Sequence, residues 1–286
     1  MEPITQKKRQ KPDWLKIKIP GGEGYNEVKS IVNDHKLHTI CQSGKCPNMA
    51  ECWGRGTATF MILGDICTRA CRFCAVKTGR PEAVNWEEPM EVAKSIQLMR
   101  LKHCVITSVD RDDLADGGSL VWEATIKAIK ELNPDTTMEV LIPDFKGNQE
   151  NIQRIIEAQP NVISHNMETV RRLTRQVRRN SDYDRSLSVI RQVAQSGIRS
   201  KSGIMLGLGE TEAEILETMD DLRAVGCEVI TIGQYLQPTK EHLEVQEFIR
   251  PEMFKRLEEI GLEKGFRYVE SGALVRSSYH AEKHVH

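Results

Sequence analysis

Six apolar, β-branched runs punctuate the chain, at residues 59–63, 105–109, 138–142, 161–164, 202–206 and 228–232. Alternating with them are longer segments with apolar residues at helical spacing, at 90–102, 120–132, 151–159, 185–195, 211–225 and 251–264. Strand–helix units repeated in this way predict an α/β fold of parallel strands joined by crossover helices. Several strands are apolar nearly throughout, as expected when helices cover the sheet. Residues 1–56 and 266–286 fall outside the alternation, so 57–265 reads as the folded unit and the flanks as N- and C-terminal extensions.

The segments after the runs share a character that the runs lack. They read CTRACRFC, SVDRDDLADGG, PDFKG, SHNMETV, GLGET and QYLQPT: polar, Gly-rich or Pro-containing. Loops are polar in any protein, which accounts for composition. It accounts less well for potential ligands recurring at the same end of each unit, the rim on which αβ-barrel active sites are built.

Length and composition then narrow the class. A chain of 286 residues suits one large barrel or two modest domains, and 39% hydrophobic with 28% charged residues excludes a disordered or collagen-like chain. A net charge of −1 gives no support to nucleic-acid binding. The longest apolar runs fall far short of the ~18 residues of a membrane span, and the polar N-terminus is no secretory signal. A soluble, cytoplasmic protein is expected.

Of eight cysteines, six lie between positions 41 and 74. In a reducing compartment such thiols are more often metal-binding or catalytic than disulfide-bonded. Cys104 and Cys227 stand alone beside β-like runs and read as buried small hydrophobes. Cys67, Cys71 and Cys74, spaced C-x3-C-x2-C directly after the first strand, supply three soft thiolates without a fourth nearby. They suit a four-iron cluster with one iron open, or a zinc site completed by a remote histidine. Cys41, Cys46 and Cys52, spaced C-x4-C-x5-C, again supply three.

The C-x3-C-x2-C spacing, with the aromatic Phe73 before the last cysteine, resembles the radical S-adenosylmethionine superfamily. The upstream spacing, together with SVDRDDLADGG, SHNMETV, GLGET and the terminal RSSYHAE, resembles the lipoyl synthase family over nearly the whole chain. The resemblance implies a partial (β/α)6, TIM-like barrel with N- and C-terminal extensions. It implies two [4Fe–4S] clusters and S-adenosyl-L-methionine as cofactors. One cluster, on Cys67, Cys71 and Cys74, would reductively cleave S-adenosylmethionine to a 5′-deoxyadenosyl radical. The auxiliary cluster, on Cys41, Cys46, Cys52 and a serine of the RSSY motif, would be consumed as sulfur donor. Ser278 is assigned as that ligand, with Ser277 the alternative. An alkoxide is a harder, weaker match for iron than a thiolate, which suits an iron that must be released.

The substrate implied is an octanoyl-lysine on a lipoyl carrier domain, of a 2-oxoacid dehydrogenase acyltransferase subunit or the glycine-cleavage H protein. It gains sulfur at C6 and C8, with electrons from a donor such as ferredoxin or flavodoxin. Ser108, Asp110, Gly117, Gly118, Asn166, Glu168 and Lys201 are expected cofactor contacts. Gly-Gly pairs also make ordinary turns, and Asp110, Asp112 and Asp113 could instead hold Arg111 or face solvent. Glu210 flanks the same Gly-rich strand end, and Arg276 is expected to orient the RSSY serine or the substrate. The five arginines within 171–179 read either as a solvated helix face or as a surface that steers an acidic carrier. The rival readings are a tRNA methylthiotransferase-like enzyme, which should carry a basic RNA-binding domain, and a non-enzymatic iron–sulfur electron carrier.

Overall fold

The computed structural model describes residues 11–16, 25–26, 29–30, 39, 41, 46 and 48–285. Its main sheet has seven strands, β1 (Thr57–Ile62), β2 (His103–Ser108), β3 (Thr137–Leu141), β4 (Val162–Ser164), β5 (Arg199–Leu206), β6 (Val229–Gln234) and β7 (Tyr268–Gly272), ordered as in the chain and all parallel. The crossovers carry α2 (Glu88–Leu98), α3 (Ser119–Leu132), α4 (Gln149–Glu157), α5 (Tyr183–Gln195), α6 (Glu212–Ala224) and α7 (Pro251–Glu263), while α1 (Met49–Gly54) precedes β1. Among the described residues β1 and β7 do not pair, so the barrel is partial and has an open seam. Among the described residues, too, no helix is long and apolar enough to cross a membrane.

Local signals set the helix starts. Asn148 caps α4 by accepting from the backbone N–H of Glu150 and Asn151, and Asp182 caps α5 through Arg185. Thr211 and Glu214 form a reciprocal capping box on α6, and Pro251 opens α7 where its missing N–H is harmless. The buried strand residues Ile106, Val140 and Ile163 share one core cluster with the helix residues Ile126, Ile152 and Val189, and Ile204 and Ile230 share a second with Leu222.

Two features differ from the sequence reading. First, the sheet extends one strand beyond the six apolar runs, into the C-terminal extension. In β7 only Val269 is fully buried, so Tyr268 and Glu270 break the apolar signature. Second, β5 begins at Arg199, because the polar Ser200 and Lys201 are themselves buried.

The chain after β7 runs down the open seam. A Cβ at Gly233 would stand 2.2 Å from the Val275 carbonyl oxygen, so the chain crosses β6 closely near its C-terminal end. It then passes α1 and ends in the 3-10 turn Ala281–Val285, whose buried His284 lies beside the Tyr268 ring. On the β1 side of the seam, Thr39 bridges antiparallel to Phe60.

Candidate active site

The first cysteine loop leaves β1 at the rim. Ile66–Cys67 pairs in parallel with Lys77–Thr78, and Gly79 N–H donates to the Cys67 carbonyl, so residues 68–76 form a closed loop. Cys67 is buried, Cys71 and Cys74 are half-buried, and all three are free thiols. The Cys67 Sγ accepts from the backbone N–H of Arg69 (3.4 Å) and of Asp110 (3.3 Å). Burial pushes the Cys71 thiol up to about 12, against the pull of Arg178. Burial and then the neighbouring Cys67, Glu168 and Asp110 push Cys74 up to about 11. Such thiols stay protonated until a cation holds them as thiolates. Three soft donors with backbone N–H groups aimed at one sulfur fit an iron–sulfur cluster. Among the described residues no three His, Cys, Asp or Glu side chains close round one metal-ion position; a cubane takes its thiolates at separate corners.

Arg69 organises the loop. Its Nε and Nη2 donate to the two Asp112 oxygens at 2.8 Å each, Nη2 also donates to Asp144 Oδ1 at 2.7 Å, and Nη1 lies 3.3 Å from Asp110 Oδ1. The carboxylate of Asp110, one of the expected cofactor contacts, lies between Arg69 and Cys67, whose Sγ–H points to Oδ2 at 3.7 Å. Arg111 forks onto Asp113, one of the pairings left open above. The Ser108 Oγ is buried at the end of β2 without a hydrogen-bond partner. Gly117 and Gly118 have φ of 60° and 87°, and a Cβ at Gly118 would stand 2.5 Å from Leu63 Cδ1. Close packing on Leu63 is therefore the physical requirement at Gly118.

Across the rim, the left-handed Glu168 (φ 64°) bridges to β5 through Gly203 and Met205, and accepts from Asn166 Nδ2 at 3.0 Å. Burial raises its carboxyl, and its charge is felt at both Cys71 and Cys74. The Asn166 Oδ1 is buried and unpartnered. Phe73 packs against the core cluster that includes Met167 and Leu206. Lys201 does not share this rim. It sits in the N-terminal half of β5, fully buried, and its Nζ donates to Glu139 on β3 at 2.7 Å; the expected cofactor contact is corrected to an internal ion pair.

The upstream cysteines gather at the seam. Cys46 N–H donates to the Cys41 carbonyl, Cys41 lies beside Thr59 and Trp53, and Cys52 is on α1. Burial, then Cys46, Cys41 and Glu282, push the Cys52 thiol up to about 12. The terminal segment meets them: Asn48 Nδ2 donates to the Leu274 carbonyl at 2.7 Å, Arg276 acts on Cys46, Tyr279 Oη donates to Glu51, and Glu282 pairs with Arg55. Ser277 and Ser278 lie in the turn between these contacts.

The arginine run divides. Arg171 pairs with Asp184 and Asp221 and lies 4.1 Å from the Tyr183 ring centroid, while Arg172 pairs with Glu214. Arg178 is buried and donates to the Asn166 and Met167 carbonyls, while Arg171, Arg172, Arg175 and Arg179 are exposed and match a solvated face. The sequence reading missed Arg69, Asp144 and Arg178. Arg69 could have been noticed as a charge inside the cysteine motif itself; Asp144 and Arg178 gave no local signal.

Comparison with known proteins agrees with this geometry. Residues 61–222 match the model of the radical SAM superfamily, and residues 3–46 that of the N-terminal domain of lipoyl synthase of the radical SAM family. The mitochondrial lipoyl synthase of Nematostella vectensis is 61% identical over 286 residues, covering 100% of this chain and 98% of that protein. The lipoyl synthase of Flavobacterium johnsoniae is 64% identical over 276 residues, 96% of each. The chain belongs to the lipoyl synthase family. It is therefore a radical S-adenosylmethionine enzyme with lipoyl synthase activity, and the superfamily's S-adenosylmethionine and [4Fe–4S] cluster are its cofactors. Among solved structures the barrel is similar to HydG, a maturase of the [FeFe]-hydrogenase, with a TM-score of 0.58 at 15% identity over 86% of this chain and 63% of that one. It is also similar to methylornithine synthase (PylB), with a TM-score of 0.54 at 13% identity over 86% and 82%. These likenesses bear on the fold alone.

Proposed function

We propose that this lipoyl synthase inserts sulfur at C6 and C8 of an octanoyl group amide-linked to a lysine of a lipoyl carrier domain. In this reading Cys67, Cys71 and Cys74 hold the radical-generating cluster, and Cys41, Cys46, Cys52 and Ser278 hold an auxiliary [4Fe–4S] cluster. When bound, the two clusters supply an electron for cleaving S-adenosylmethionine and the sulfur for the product. The observation that carries the reading is the separation of six free thiols into two groups flanking β1, with the RSSY turn packed against only one of them.

The chain's own residues bind and orient. Arg69 and the N–H groups of residues 69 and 110 hold the Cys67 end of the rim loop. Ser108, Asn166 and Glu168 line the cofactor side, next to the turn that Gly117 and Gly118 pack against Phe145 and Leu63. Phe73 anchors the loop by packing against the core cluster beneath it. His242 Nε2 lies 2.9 Å from the Cys74 carbonyl and fixes the covering 236–249 segment. Residues 1–56 contribute auxiliary ligands, 57–265 the barrel and 266–286 both the last strand and the serine. The carriers we assign are acyltransferase subunits of 2-oxoacid dehydrogenases and the glycine-cleavage H protein, the electron donor a ferredoxin or flavodoxin, and the compartment the reducing cytoplasm.

The test is anaerobic reconstitution with iron and sulfide. Cys41→Ala and Cys67→Ala should each lose about half the iron, as expected for equal four-iron clusters. The parent, given reductant and S-adenosylmethionine, should form 5′-deoxyadenosine and add two sulfurs to an octanoyl-lysine peptide. Deoxyadenosine without sulfur gain would overturn the reading.

A further inference from the structure

Arg69 carries the densest set of charged contacts in the described structure. A side chain only 3% exposed meets three carboxylates: Asp110 and Asp112 from the loop after β2, and Asp144 from the loop after β3. Asp144 is fully buried and is held from its other side by Arg185 Nε at 2.9 Å. The guanidinium thus ties three successive strand-end loops to one centre, and that centre is two residues from Cys67. The loop's backbone is bonded into the same knot. Thr68 N–H and Oγ1 both donate to the Asp110 carbonyl, and Thr68 Oγ1 accepts from Asp112 N–H.

We propose that Arg69 is a positioning residue, which holds the 67–74 loop in its ligand-ready shape by forking onto Asp112 and Asp144. The proposal rests on the reading that Cys67, Cys71 and Cys74 hold the radical cluster. The chemistry selects arginine. One planar fork reaches two Asp112 oxygens and an Asp144 oxygen at once, which the point charge of a lysine cannot match. Removing the guanidinium would leave buried carboxylates facing one another without their shared cation, with Asp110 against the Cys67 sulfur. The loop would shift away, and any cluster there would sit beside an uncompensated negative charge. That charge disfavours uptake of an electron, so the cluster becomes harder to reduce.

The test uses the full chain with Cys41, Cys46 and Cys52 replaced by alanine, so that iron reports on the rim site alone. In this background Arg69→Met and Asp144→Asn should lose iron to a chelator about tenfold faster than the parent, the lower end for loss of a residue that orients ligands. Both should alter the paramagnetic resonance spectrum of the reduced cluster. Arg69→Met, which removes a positive charge, should lower its midpoint potential, whereas Asp144→Asn, which removes a negative one, should not. Arg69→Lys should restore the potential more than the retention of iron. Arg111→Met removes another buried arginine of the neighbouring loop and should leave the spectrum as in the parent. Retention and spectrum unchanged in Arg69→Met and Asp144→Asn would overturn the inference, as would the same spectral change in Arg111→Met. Should Arg69→Met fail to fold, Asp144→Asn, which touches no cysteine, decides by the same two readouts. A background parent that binds no iron overturns the ligand assignment, and this inference with it. Iron in the parent with unchanged variants overturns the inference alone.

Discussion

Lys201 Nζ lies 2.7 Å from Glu139 Oε2, and both side chains are completely buried between β5 and β3. A buried pair is destabilised far more by losing one member than by losing both, because the survivor is an uncompensated charge. Lys201→Met should lower unfolding free energy by about 3–5 kcal/mol, and Lys201→Met with Glu139→Leu should recover most of it. Denaturant titration of the three proteins checks this. Where Lys201→Met remains folded, its KM for S-adenosylmethionine should match the parent's, since Lys201 is remote from the rim.

The capping box of α6 gives a pH signature. Arg172 and the Thr211 N–H pull Glu214 down to about 2 from the usual 4.5. A carboxyl lowered in the folded state stabilises fully above pH 4.5 and loses that contribution as pH falls toward 2. The group is near the surface, so the effect is screened to about 1 kcal/mol. Stability measured from pH 6 to pH 3 should fall less steeply in Glu214→Gln than in the parent; equal slopes would refute the assignment.

Gly118 tests the packing of the strand-end turn. With φ at 87° and Leu63 where a Cβ would stand, Gly118→Ala should cost about 1–3 kcal/mol. Gly118→Ala combined with Leu63→Ala should relieve the clash and leave only the backbone strain. Thermal unfolding of the pair against each single variant measures the coupling.

The RSSY turn offers two serines. Ser278→Ala should weaken retention of the auxiliary cluster while Ser277→Ala leaves it intact, as read by iron content in a Cys67→Ala background. Ser278→Cys should hold that cluster more tightly, because thiolate suits iron better than alkoxide, and should slow sulfur transfer for the same reason.

How much of this was legible in the chain depended on whether the deciding contacts were local. The six apolar runs found β1 to β6 because those strands are covered on both faces, and the cysteine spacings found the two thiol groups because ligand loops are short. β7 was not legible: Val269 is its one buried apolar residue, packed on α7, while Tyr268 and Glu270 are covered by His284 and His280 of the returning chain. Lys201 looked like a rim residue because it precedes a Gly-rich turn, but it lies some five residues lower on its strand and answers to Glu139, 62 positions away. Arg178 reads in sequence as one of five similar charges, and only the turn after β4 singles it out by taking it inside.

The seam between β1 and β7 makes the two flanks of the barrel depend on each other. Residues 274–282 lie against α1 and beside Cys46, so the upstream thiols meet these neighbours only when segments more than two hundred positions apart have been brought together. Contacts at such separation carry a large loop-closure cost and are realised only with the barrel between them in place. A molecule in which 274–282 came loose would keep its rim loop but forfeit the side that faces α1.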